Sequence, residues 1–287
     1  MSASGLRKRY GSVQAVEDVS LEIEEGTCLG ILGPNGAGKT TTIEIMEGIL
    51  APDAGTILYR DKPLDRDFKR NVGIQFQTTA LPEFITVRET LELFSSFYPS
   101  PRPLAEVIDF CSLGDILNRD NRKLSGGQRQ RMLLALAIVP NPDIVFLDEP
   151  TTGLDPQSRR NFWDLLGRIK SERATVILTT HYMDEAQALC DEVAIMDHGR
   201  ILERGSPGRL LARHFKGALV RVPKGCLDAP IPGFGTIVSD RLEIQSENLD
   251  KTMRELLAAG INLEGLSIHK PDLEDLFIKL TGSSLRA

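Results

Sequence analysis

The sequence predicts an α/β protein: a mainly parallel sheet with flanking helices, a helical insertion, and a small C-terminal α+β appendage. Three observations carry this. Short, β-rich apolar runs at 27–32, 143–147, 174–179 and 193–196 are separated by helical patterns. That is how a parallel sheet buried on both faces and linked by crossover helices reads. A glycine-rich loop follows the first run, and two carboxylates close the second.

The elements follow in order. Between residues 81 and 137 the pattern turns helical. Thr86-Val87-Arg88-Glu89 forms a capping box ahead of Leu91, Phe94 and Tyr98, and Pro99, Pro101 and Pro103 stop that helix. After Gly205-Ser206-Pro207-Gly208 and one short helix the composition shifts. Residues 218–222 and 241–245 alternate like half-exposed strands. Asn248 caps a helix carrying Leu249, Met253, Leu256 and Leu257, with Gly260 as its stop, and Asp272 opens a last helix with Leu273, Leu276, Phe277 and Leu280. The appendage is therefore set at 217–287 and the main domain at 1–216. The sequence carries no internal repeat and no low-complexity tract.

At roughly 150 residues per domain, 287 residues allow one large or two modest domains. With 41% hydrophobic and 26% charged residues, a core forms without staples. Lys and Arg number 34 against 40 Asp and Glu, a net charge of -6 and a pI near 5.4. That excludes the basic footprint of a nucleic-acid binder. Cys28, Cys111, Cys190 and Cys226 form no CxxC pair and read as buried small hydrophobes in a reducing cytosol; His181, His198, His214 and His269 lack metal-ligand spacing. The longest apolar run, 132–139, is too short to cross a bilayer, and residues 1–10 do not resemble a signal peptide. The expectation is a soluble, cytosolic protein, unless a partner holds it at a membrane.

The chemistry begins with Gly33-Pro34-Asn35-Gly36-Ala37-Gly38-Lys39-Thr40, which fits GxxxxGK[ST] directly after a strand. The glycines let backbone amides close on phosphates, and the helix that starts near Lys39 adds its positive end. Lys39 then neutralises β- and γ-phosphate oxygens, and the Thr40 hydroxyl reaches Mg²⁺. The strand Ile144-Val145-Phe146-Leu147 ends in Asp148-Glu149 at the carboxyl edge of the sheet, where such sheets bind ligands. Asp148 is expected to hold Mg²⁺ through water, and Glu149 to polarise the attacking water. Together these define a P-loop nucleotidase core. Leu124-Ser125-Gly126-Gly127-Gln128 starts a further helix, with Ser125 as N-cap and two glycines exposing amides. One phosphate loop already wraps a triphosphate, so this second anion site points to a head-to-tail, two-fold symmetric homodimer with two composite sites.

These three segments, GPNGAGKTT at 33–41, LSGGQ at 124–128 and LDEP at 147–150, resemble the ATP-binding cassette (ABC) ATPases over about residues 5–216. The resemblance implies roles for further positions. Tyr10 matches the aromatic that stacks on adenine, and Thr41 completes the phosphate loop. Gln77, with Gln75 as a nearby decoy, matches the glutamine that touches the metal and attacking water. Asp155 matches the loop crossing the dimer interface, and His181, 32 residues after Glu149, the histidine contacting the γ-phosphate. Gly126, Gly127 and Gln128 join Ser125 in facing the partner's nucleotide. Members of the family open with a further edge strand; with only residues 1–6 before Arg7, it is expected to be short or absent here.

The family's transport members couple through a groove beside the glutamine loop, here 78–98, where Leu81, Phe84, Phe94, Phe97 and Tyr98 cluster. A chain with one cassette and no spanning segment needs a separate permease, placing it on the cytoplasmic membrane face. Residues 181–186, 196–200 and 273–282 look like the multidrug and antibiotic-resistance exporter ATPases. The alternatives are a soluble ABC ATPase acting on nucleic acid or ribosomes, an importer ATPase, or a regulatory cassette.

Overall fold

In the computed structural model, which describes residues 1–223, 235–238 and 241–282, the chain forms two compact units that part between Ser206 and Pro207. Cys226 lies outside the described residues.

The first unit opens with the hairpin β1 (Ser2–Tyr10) and β2 (Val13–Glu22), then β3 (Cys28–Leu32) running into α1 (Lys39–Met46). Next, β4 (Ala54–Tyr59) and β5 (Lys62–Pro63) return to the hairpin, giving an antiparallel sheet of order β2-β1-β4-β5. After α2 (Arg66–Arg70) and β6 (Val72–Gln75), the chain enters the helical insertion of α3 (Val87–Ser95), α4 (Leu104–Phe110) and α5 (Gly126–Ile138). It returns through β7 (Ile144–Asp148), α6 (Pro156–Ser171), β8 (Thr175–Thr180), α7 (Met183–Leu189), β9 (Glu192–Asp197) and β10 (Arg200–Gly205). The main sheet has the order β10-β9-β3-β8-β7-β6, parallel except for the β9–β10 hairpin. Strands β3, β7 and β8 are buried at every position, which is why they read as continuous apolar runs.

The opening strand corrects the sequence expectation: β1 is nine residues long and pairs with both β2 and β4. It escaped notice because its buried residues, Ala3 and Leu6, lie three apart, with Gly5 at φ 60° and register shifts between them. A bulge adds one residue and breaks the period of two that marks a strand.

The capping box is present at Thr86, whose hydroxyl accepts from the Glu89 amide. Helix α3 ends at Ser95, short of the prolines, and α5 starts at Gly126, six residues before its first buried residue, Met132.

The second unit comprises α8 (Pro207–His214), β11 (Ala218–Pro223), β12 (Thr236–Val238), β13 (Arg241–Ser246), α9 (Leu249–Ala258), β14 (Ser267–His269) and α10 (Leu273–Thr281). Its antiparallel sheet, β12-β13-β11-β14, closes a core of Val220, Val222, Leu242, Ile244, Leu256 and Ile261. The sequence reading placed α8 before the boundary at 216/217, but α8 packs within this unit. Lys279 of α10 donates to the His214 carbonyl and lies 4.7 Å over the Phe215 ring. The 273–282 segment is built around Asp275, which shares a capping box with Asp272 and receives Arg221 from β11 and His269 from β14.

Candidate functional site

Neighbouring parallel strands bring residues far apart in sequence to one edge. Strands β3, β8, β7 and β6 are adjacent in that order, so their carboxyl ends deliver the loop after Leu32, Thr179 to His181, Asp148-Glu149 and Gln75 to Gln77 side by side.

The loop is shaped by contacts that admit no side chain. A Cβ at Gly33 would lie 2.2 Å from the Met196 carbonyl oxygen; one at Gly38 would lie 2.2 Å from that of Ala15, at φ 100°. Gly38 caps α1 without a side-chain bond, so the amides of Lys39, Thr40 and Thr41 in the first turn have no partner within the helix, directly after the loop residues Pro34, Asn35, Gly36 and Ala37. Lys39 is 4% exposed. Its ammonium donates to the carbonyls of Gly33 at 3.0 Å and Pro34 at 3.1 Å, and lies 3.2 Å from Glu149 Oε1.

Glu149 is the centre of the constellation. Its Oε2 receives Gln77 Nε2 at 3.3 Å and the Thr152 hydroxyl at 3.2 Å, and lies 3.3 Å from His181 Nδ1. Its backbone is left-handed, at φ 46°, and its amide donates to the Thr179 hydroxyl at 3.0 Å. A bulky residue held there stores about 1–3 kcal/mol of strain, which this amide bond helps to hold. Burial pushes the Glu149 carboxyl upward, but the charges of Lys39 and His181 outweigh it, so it titrates below its ordinary value. It is an anion ready to accept a proton from water. Asp148 differs: burial raises it, despite hydroxyl bonds from Thr179 and from Thr40 at 3.3 Å.

Of the sequence-predicted residues, Lys39, Thr40, Gln77, Asp148, Glu149 and His181 thus meet in one place. Gln75, the decoy, is buried with its amide on Gln130. Tyr10 stands half exposed at the end of β1. The start of α5 is a separate site. The Ser125 hydroxyl accepts from the Gln128 amide at 3.3 Å, and the Gln128 side chain accepts from the Ser125 amide at 3.0 Å. This box leaves the Gly126 and Gly127 amides and the Ser125 hydroxyl proton for a ligand. Asp155 is the N-cap of α6, accepting from Gln157 and Ser158. Among the described residues, no hydrogen bond or ion pair joins Ser125, Gly126, Gly127, Gln128 or Asp155 to the Lys39–Glu149 cluster.

Sequence reasoning missed Thr179 and Thr152. The signal for Thr179 was a hydroxyl pair, Thr179-Thr180, ending an otherwise aliphatic buried strand; register pairs Thr179 with Asp148. Thr179→Val is expected to lower stability by about 1–3 kcal/mol, since it leaves Asp148 and the Glu149 amide short of a partner. Thermal denaturation tests this, and Thr179→Ser should stay near wild type.

A phosphate loop on a helix start, a buried lysine and a strand-end carboxylate pair define a P-loop nucleotide-hydrolysing protein. Residues 16–152 match the family model described as ABC transporter. The chain is 35% identical over 308 residues to Nod factor export ATP-binding protein I of Ralstonia nicotianae, covering 100% of this chain and 95% of that protein. It is 34% identical over 306 residues to daunorubicin resistance ATP-binding protein DrrA3 of Streptomyces coeruleorubidus, covering 100% and 97%. Among solved structures, cbiO1 of Clostridium perfringens, part of the ABC transporter complex cbiONQ, superposes with a TM-score of 0.66 at 29% identity, over 74% of this chain and 90% of that one. The cassette MJ0796, in a dimeric post-hydrolysis state bound to ADP and Pi, gives 0.65 at 26% identity, over 71% and 97%. The chain belongs to the ABC transporter family, as an ATP-binding ATPase subunit. Cassettes of this family work as dimers with a separate membrane component. Among the described residues, no helix is long and apolar enough to cross a membrane.

Proposed function

We propose that this chain is the ATP-hydrolysing subunit of an exporter, working as a head-to-tail homodimer on the cytoplasmic face of a separate permease. The observation that carries the reading is Glu149 held between Lys39, Gln77, Thr152 and His181 beside the phosphate loop. Export, of a drug, lipid or similar compound, is supported by the relatives named for Nod factor export and daunorubicin resistance. The catalytic machinery is assigned to the first unit.

Thr40, Asp148 and Gln77 offer hard oxygen donors that fit Mg²⁺, and the 3.3 Å Thr40–Asp148 contact already sets two of them side by side. The described residues hold no group of three or more His, Cys, Asp or Glu suited to a metal. Few protein ligands, completed by the nucleotide's phosphates, is the usual arrangement for this ion. When bound, it supplies positive charge to the phosphate oxygens.

In the mechanism, Lys39 and the free amides of the loop hold the triphosphate, and Tyr10 stacks on the base. Closure brings the partner's α5 start to the γ-phosphate, where Ser125 and Gly127 add donors. Glu149 accepts a proton from the attacking water, and Gln77 and His181 orient that water and the leaving phosphate. In-line transfer asks for positioning and charge, which these groups provide. Loss of the γ-phosphate removes the bridge between subunits and reopens the dimer. Movement passes to the permease through the groove beside Gln77, where Phe76, Phe84 and Phe97 are exposed.

A tagged chain incubated with detergent-solubilised membranes of the native host is expected to retain a multi-spanning protein in roughly equal amount. Recovery of only soluble proteins or nucleic acid, or turnover stimulated by nucleic acid, would overturn the transporter reading in favour of a soluble ATPase.

A further inference from the structure

A groove of about 470 Å³ runs between the end of α1, strand β6 and helices α3 and α5. Its walls are apolar and aromatic, from Phe76, Phe94, Tyr98 and Leu133. Its floor is not. Glu47 and Gln75 line it, each 2% exposed. Both carboxylate oxygens of Glu47, and Oε1 of Gln75, have no hydrogen-bond partner; the Gln75 amide group is spent on Gln130.

Both oxygens of Glu47 and Oε1 of Gln75 thus lie buried along one groove without a partner, and native proteins seldom leave such groups unmatched. Burial pushes the Glu47 carboxyl up to about 8, and the negative charges of Asp148 and Glu44 act in the same direction. Lys69, the cation among the lining residues, is exposed and forms no hydrogen bond with Glu47.

We propose that the groove receives a basic side chain, Lys or Arg, carried on an apolar cytoplasmic helix of the permease and seated against Glu47 and Gln75. This rests on the transporter reading above and adds to it the chemistry of the docked residue. A cation answers all three oxygens: Lys brings three donors and Arg five, and seating either one draws the proton off Glu47, so that the buried carboxyl and the docked side chain become an ion pair. The helix that carries it meets apolar surface. Ile49 and Phe76 of the groove are 55% and 41% exposed, and Phe97, edge-to-face with Phe94 at 5.7 Å between ring centroids, is 65% exposed. An aromatic rim around a buried charge gives both contact area and register.

The test places the photo-crosslinker p-benzoylphenylalanine at Ile49 in the full chain and irradiates it with detergent-solubilised host membranes. The crosslinked permease peptide is expected to carry a Lys or Arg within one helical turn of the attachment point. Glu47→Gln, nearly the same size, should weaken retention of that permease about tenfold or more. Exchanging the charges, Glu47→Lys together with the permease's basic residue changed to Glu, should recover most of the loss. A crosslinked segment without a basic residue overturns the inference, as does equal retention by Glu47→Gln; both leave the transporter reading standing. If the wild-type chain captures no multi-spanning protein, both fall. The crosslink map needs no change at position 47, so it holds even if a variant there folds poorly.

Discussion

Glu149→Gln is expected to lower ATP turnover by about 10²–10³-fold while leaving ATP binding nearly intact. Glutamine fills the same space and can still accept from the Thr152 hydroxyl and Gln77, so the shape of the site survives. What disappears is the anion that the charges of Lys39 and His181 hold below its ordinary value against the effect of burial. An amide cannot take a proton from water near neutral pH. The chain should therefore accumulate in the ATP-bound state, and in the head-to-tail arrangement that state is the closed dimer. Phosphate release measures the turnover, and light scattering with Mg-ATP measures the mass. A variant retaining more than a tenth of wild-type turnover would remove Glu149 from the role of base. A monomer with Mg-ATP would remove the dimer model.

The parts legible in the sequence are those whose physics is local. The phosphate loop, the Asp148-Glu149 strand end and the Ser125 cap are each contiguous, and each sits where strand or helix ends need those residue types. The convergence of the first two followed from parallel-sheet topology, which delivers strand carboxyl ends to one edge, while the Ser125 cap stays a separate site within one chain. What stayed hidden depends on register or on distant packing. Strand β1 lost its alternation to a bulge at Gly5. Thr179 matters because of the strand beside it, where it faces Asp148, not because of its own neighbours in sequence. Glu47 closes a helix in a stretch that otherwise reads as ordinary, and only packing reveals that its carboxylate is enclosed without a donor. Asp155 shows the converse: the family resemblance assigns it to an interface, while within one chain it also caps α6.

Lys39→Ala should abolish measurable ATP binding, and its effect on the empty protein separates two duties of one side chain. The ammonium faces the phosphate loop through the Gly33 and Pro34 carbonyls and faces Glu149 at 3.2 Å. Losing a buried charge-assisted contact to phosphate costs a factor of about 30 to 1000 in affinity, enough to carry binding out of a normal assay range. The same substitution leaves the Glu149 carboxylate, 7% exposed, without its strongest cation. His181, Thr152 and Gln77 remain, so the stability loss is expected to stay at about 1–2 kcal/mol rather than the value for a wholly unpaired buried ion. The pH sign follows from the direction of the shift. A carboxyl lowered in the folded state stabilises above its ordinary value of 4.5 and loses that contribution as pH falls below it. The gap in melting temperature between wild type and Lys39→Ala should therefore be full near pH 7 and shrink in acid. Adding Glu149→Gln to Lys39→Ala removes the orphaned charge, so the double variant should regain most of the lost stability without regaining ATP binding. Additive losses in the double variant would mean that Lys39 and Glu149 are not energetically coupled, and that the 3.2 Å contact between them is incidental to the site.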